Sequence, residues 1–160
     1  MRHLLLTAAL VALVVGCNGA PAAIRPTLAG IIALGYRCGE GMKDNVPSGL
    51  FQWHCDGTVD GTVSTVLVDG NQEGVAGITL FINESDDPEI ARVGFARLVT
   101  GVPPLKAAPA LADVLRRWPG EQQSTVVGPV RVFAECKPTY CIVIVSPAGD
   151  PLRPMQLPGV

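Results

Sequence analysis

What restricts this chain most is a change of hydrophobic period along it, from two residues to about 3.6 and back to two. Leu50-Phe51-Gln52-Trp53-His54-Cys55 alternates, with Phe51, Trp53 and Cys55 on one face and Gln52 and His54 on the other. Thr62 to Asp69 and Val75 to Asn83 repeat the pattern: Val66 and Val68 share a face, as do Ala76, Ile78, Leu80 and Ile82. Between these runs Gly70-Asn71-Gln72-Glu73-Gly74 carries the glycine and asparagine that tight turns select. The stretch predicts an antiparallel meander of three strands, with Phe51, Trp53 and Cys55 toward the core.

At Asp86-Asp87-Pro88-Glu89 the period lengthens. An acidic cap, a proline in the first turn and a Glu three residues after Asp86 mark a helix start. The helix is expected to run to about Thr100, with Ile90, Ala91, Gly94, Phe95, Leu98 and Val99 on its apolar half. Val102-Pro103-Pro104 should break it. A second helix is expected over Ala108–Trp118, where Leu111, Val114, Leu115 and Trp118 follow i, i+3, i+4 and i+7, until Pro119-Gly120 stops it. Ser124–Glu135 and Tyr140–Ser146 then read as a hairpin, with Pro129 at a bulge or edge. Ile142-Val143-Ile144-Val145 is apolar throughout, which suggests a strand covered on both sides.

A short N-terminal helix is expected at residues 26–34, from Pro26 to a stop at Gly35, and Gly39–Gly49 has the composition of a loop. The fold class is therefore α+β: one domain over residues 26–146, a two-layer arrangement of about five mostly antiparallel strands with two helices on one face. Trp53 and Trp118 should both be buried. Residues 147–160, with four prolines, form an irregular tail. No internal repeat is visible, and the domain is of ordinary single-domain size.

The N-terminus bears on where such a domain works. Met1-Arg2-His3 is short and positive, Leu4–Val15 is an apolar run of twelve, and small Gly16 precedes Cys17. That is the layout of an export signal. Val14-Val15-Gly16-Cys17 resembles the lipobox of the bacterial prolipoprotein signal, which takes an aliphatic residue, a tolerant position, Gly or Ala, then Cys. The resemblance implies diacylglyceryl attachment at Cys17 through a thioether, cleavage before Cys17, and palmitate-type anchoring on the extracytoplasmic side of a membrane. Residues 1–16 would be the signal peptide and 17–25 a flexible tether. Two other fates stay open: a secretory cut after Ala22, which would discard Cys17 and give a secreted protein, and an uncleaved span. For the span, twelve apolar residues fall short of the roughly twenty a helix needs.

In an exported chain Cys38, Cys55, Cys136 and Cys141 form an even set, most simply two disulfides. Cys38–Cys55 with Cys136–Cys141 is the favoured pairing, because a hairpin loop of Lys137-Pro138-Thr139-Tyr140 would set the last two cysteines opposite each other. Zinc ligation by the four thiolates is the rival, and the spacings lack paired zinc knuckles.

The remaining chemistry is sparse. The chain has 12 Lys and Arg against 14 Asp and Glu, a net charge of −2 that becomes −3 without Arg2, with no basic patch for nucleic acid. Asp56–Gly61 and Asp69–Gly74 look like the opening of calcium loops, but position twelve of each is Leu67 or Leu80 instead of a bidentate Glu. His54 shares a strand face with Asp56, a pair able to orient a general base; Ser48 lies in a loop and no Gly-x-Ser-x-Gly elbow is present. Arg92, Arg97, Arg116 and Arg117 read as solvated, and Asn83-Glu84-Ser85 matches a glycosylation sequon. No catalytic residue, metal ligand or cofactor is assigned. The expected function is a non-enzymatic binding module, its partners the membrane through Cys17 and another envelope protein or small ligand. An exported hydrolase using His54 and Asp56, or an inhibitor-type envelope protein, are the alternatives.

Overall fold

A computed structural model describes residues 19–43, 46–47 and 49–155. The expected signal peptide, the lipobox with Cys17, Ser48 and the last five residues lie outside the described residues. In chain order the elements are α1 (Arg25–Ala33), β1 (Arg37–Cys38), β2 (Phe51–Val59), β3 (Thr62–Gly70), β4 (Val75–Asn83), α2 (Pro88–Gly101), α3 (Pro103–Lys106), α4 (Ala110–Val114), β5 (Gln123–Val127), β6 (Val130–Lys137) and β7 (Tyr140–Pro147). All strands join one antiparallel sheet in the order β1-β2-β3-β4-β7-β6-β5.

The sheet has seven strands where five were expected, for two local reasons. β1 is a two-residue strand, too short to show a period, pairing Cys38 with Cys55 at the sheet edge. The long strand expected over Ser124–Glu135 is two strands, because Gly128-Pro129 is a two-residue turn between Val127 and Val130, with Gly128 at φ +57°. Glycine reaches that conformation without strain, so Pro129 is a turn residue and no bulge. The loop expected at 137–140 is likewise shorter, since Lys137 pairs with Tyr140 around Pro138-Thr139.

The helices also differ in detail. α2 carries its expected apolar face, with Ala91, Gly94, Phe95, Leu98 and Val99 buried, but its cap is Asp87, which accepts from the Glu89 N–H at 2.9 Å, and not Asp86 three residues before Glu89. Pro103-Pro104 ends α2 but also opens α3, because proline lacks only an N–H that the first helical turn leaves unbonded. The expected helix over Ala108–Trp118 is regular only across α4. Its apolar period still holds, with Leu111, Leu115 and Trp118 all buried while the backbone leaves the helix after Val114.

One face of the sheet and the helices share a core. Trp53, Cys55, Val66, Val68, Ile78, Leu80, Val132, Val143 and Val145 join Leu28, Ile31, Phe95, Leu98, Leu105 and Trp118 in a single buried cluster. Close approach depends on missing side chains: a Cβ on Gly94 would stand 2.9 Å from Val59, and one on Gly57 would stand 2.7 Å from the Tyr36 ring. Tyr36 in turn hydrogen-bonds Ser64 at 3.0 Å inside the core, and burial raises its phenol above the ordinary range.

Both ends of the domain are tied in. The expected tether is already packed by Ala20 and Ile24, which are buried, and Ile24 lies where a Cβ on Gly70 would stand. In the irregular tail the Met155 N–H donates to the Val75 carbonyl at 2.7 Å. Two disulfides, Cys38–Cys55 and Cys136–Cys141, each bridge directly opposed strand residues. No described helix is long and apolar enough to cross a membrane.

Candidate binding surface

Strand alternation sends every second side chain away from the helices, and the register arranges these into rows across the second sheet face. One row runs His54, Leu67, Thr79, Ile144, Phe133; the next runs Asp56, Thr65, Phe81, Ile142, Glu135. Leu67, Phe81, Phe133, Ile142 and Ile144 are half-buried. Phe81 stacks on Tyr140, with ring centroids 5.0 Å apart and planes 17° off parallel. The middle of the face is thus an apolar belt about four strands wide. Ile142 and Ile144, expected to be covered, stand in it: among the described residues the helices cover the other side of the sheet.

Polar groups flank the belt. On the β6 side Glu135 pairs with Lys137 at 3.1 Å. On the β2–β3 side Gln52 Nε2 donates to Asp69 Oδ1 at 2.8 Å, so its Oε1 faces His54 and accepts from Nε2–H, also at 2.8 Å. An amide oxygen only accepts, so the imidazole carries a hydrogen at Nε2. His54 and Asp56 share the face, as alternation requires, yet they do not bond each other: Asp56 accepts from Thr65 Oγ1 at 2.9 Å. Among the described residues no hydroxyl or thiol hydrogen-bonds His54.

Asp69 is the unusual member. Burial raises its carboxyl above the ordinary value, a shift that the Gln52 bond and the charge on His54 only partly offset. The folded chain therefore holds the proton more tightly than the unfolded chain. Stability should fall as pH rises from the ordinary carboxylate range through the raised value, and the cost is fully present once the pH is above that value. Asp69→Asn keeps an acceptor for Gln52 and removes the charge. Urea unfolding should find this variant more stable than wild type at pH 7, with the gap closing as the pH falls toward 3; a gap independent of pH would mean that ionisation is not its cause.

Alternation alone placed Gln52 and His54 outward, but the part played by Asp69 was not apparent. The missing information is the register of β2 against β3, and the signal for it is Asp60-Gly61. Both have positive φ, 48° and 84°, as a two-residue type I′ turn requires. Counting back from that turn pairs Gln52 with Asp69. The same turn disposes of the calcium-loop resemblance at 56–61, whose first four residues are strand. Among the described residues no three His, Cys, Asp or Glu side chains gather as a metal group would need.

Arg97, Arg116 and Arg117 are exposed, as expected of solvated positions, and Arg92 is the exception. Arg92 is half-buried, donating to the Trp118 carbonyl at 2.9 Å and pairing with Glu89, while Arg97 pairs with Asp60 and Arg116 with Asp113. Away from the open face, a cleft of about 420 Å³ lies at one end of the sheet, lined largely by Pro26, Pro103, Pro104, Pro154 and Met155. Among the described residues that line it, Glu73 is charged and Thr27 carries a hydroxyl. No protein family matches the chain, and no curated protein or solved structure matches it either.

Proposed function

We propose that the chain is an extracytoplasmic bacterial lipoprotein, anchored through Cys17, that binds another envelope protein with the open face of its sheet. The observation that carries the binding part is the apolar belt bounded by Asp69, Gln52 and His54 on one side and Glu135 and Lys137 on the other. An apolar centre with a polar rim is the anatomy of a protein interface, and its flatness suits a macromolecule better than a small ligand, which needs a concave site. Asp69, costly to ionise where it stands, would gain from a donor brought by a partner. The anchoring part rests on Val14-Val15-Gly16-Cys17, and two disulfides accord with an oxidising compartment.

The two parts are tested separately. Two long acyl chains hold a protein stably at a membrane where one does so only marginally, because each buried methylene contributes about 0.8 kcal/mol. Wild type should incorporate labelled palmitate, and Cys17→Ser should incorporate none and leave an unprocessed precursor. An unlabelled wild type with its amino terminus at Ala23 would make the chain a secreted protein. For the face, a photo-crosslinking residue at Phe81 should give a discrete adduct in the native envelope, and one at Ala96, on the exposed side of α2, should not. Equal labelling at both sites would reject the open face as the binding surface.

A further inference from the structure

The two edges of the sheet are built differently. β1 is two residues long, is crosslinked by a disulfide and carries Arg37, all devices that discourage another strand from adding there. β5, Gln123-Ser124-Thr125-Val126-Val127, has neither a charge nor a proline, and Val126 is 55% exposed.

Register shows which of its backbone groups have no partner among the described residues. A two-residue turn closes on a hydrogen-bonded pair, here Val127 with Val130, so Val127, Thr125 and Gln123 bond β6. The other hairpin agrees: closing on Lys137 with Tyr140, it turns the even residues of β6 toward β5, and the next of these, Cys136, donates its N–H to the Gly120 carbonyl at 2.7 Å. Ser124 and Val126 therefore direct their N–H and C=O groups out of the sheet. Beyond them the edge stops, at Gly128-Pro129 on one side and at the segment bonded to Cys136 on the other. This is a three-residue edge with four groups placed symmetrically about Thr125.

We propose that β5 pairs antiparallel with β5 of a second copy, about a two-fold axis at Thr125. Ser124 of each copy then faces Val126 of the other, and every outward N–H and C=O is bonded. A longer foreign strand would find nothing further to bond, which is why the fit is to a second copy. The axis is normal to the sheet, so the two copies form one continuous fourteen-stranded sheet with their open faces on the same side. Four hydrogen bonds make a weak dimer in dilute solution, favoured where chains are concentrated. The inference is independent of what the open face binds and of lipid attachment.

Cysteine crosslinking of the full-length chain, exported and mildly oxidised, tests it. At the axis the two Thr125 residues form a non-hydrogen-bonded pair about 4.5 Å apart, within bridging range, whereas the two Val126 residues lie more than about 7 Å apart. Thr125→Cys should give at least tenfold more disulfide-linked dimer than Val126→Cys, although Val126 is the more exposed side chain. Random collision would reverse that order, and either the reversed order or no dimer from Thr125→Cys overturns the proposal. Adding Val126→Pro, which removes an outward N–H that β6 does not use, should abolish the Thr125→Cys dimer. Adding Ser124→Lys with Val126→Lys should do so through side chains alone, so the test does not depend on a proline being tolerated. Persistence of the dimer in a folded variant of either kind also overturns it.

Discussion

Trp118→Ala is expected to lower the stability of the domain by about 4 kcal/mol, a large fraction of the 5–15 kcal/mol that holds a chain of this size together. Trp118 is 1% exposed and follows α4 where the backbone is no longer helical. Its indole N–H donates to the Glu121 carbonyl at 2.6 Å, and its own carbonyl accepts from Arg92 at 2.9 Å. The residue thus closes the irregular turn leading into β5 and binds that turn to α2. Truncation leaves a cavity the size of an indole and an unpaired Glu121 carbonyl. Trp118→Phe, which keeps most of the volume and loses only the indole bond, should cost about 1–2 kcal/mol. Urea denaturation with constant slope measures both. A loss under about 1 kcal/mol for the alanine variant would mean that the segment after α4 contributes little to the core.

The meander and α2 were legible because each announces itself locally. Phe51, Trp53 and Cys55 alternate with polar neighbours, and Asp87-Pro88 caps a run of 3.6 period. Trp118 shows a subtler case: the apolar period selected the right buried side chains although the regular helix stops at Val114. Periodicity reports which side chains face the core, and a loose turn can present the same face. β1 and the split between β5 and β6 were not legible for opposite reasons. β1 has no period because a disulfide and one pair of residues define it, and Gly128-Pro129 is a turn signal that a β-rich run on both sides concealed.

The open face was half legible. Its members could be named from alternation, but what they do together depends on register, and register depends on turn length. Ending the first strand at Cys55 hid the turn at Asp60-Gly61, and with it the row from His54 to Leu67 and the bond from Gln52 to Asp69. Ile142 and Ile144 misled for a physical reason as well. An all-apolar strand usually means cover on both faces, and here, among the described residues, no helix lies over the second face.

Cys38→Ser with Cys55→Ser should lower stability by about 3 kcal/mol, and Cys136→Ser with Cys141→Ser by about 2 kcal/mol. On the loop-entropy account the difference follows from the separations of 17 and 5 residues. The two losses should also differ in where they are felt. Cys136 and Cys141 are held independently of their bridge, because β6 and β7 lie between β5 and β4. Among the described residues the 37–42 segment is held at the sheet edge by its pairing to β2, the Gly39 N–H bond to the His54 carbonyl at 2.9 Å, the Met42–Gln52 bridge and the packing of Cys38 against the core, with no strand on its other side. Without Cys38–Cys55 that segment should open below the global transition, so limited proteolysis should cut between Gly39 and Gly49 under conditions that leave wild type and the Cys136–Cys141 double variant intact. Equal stability losses, or cleavage that appears only with global unfolding, would show that the sheet holds β1 without its bridge.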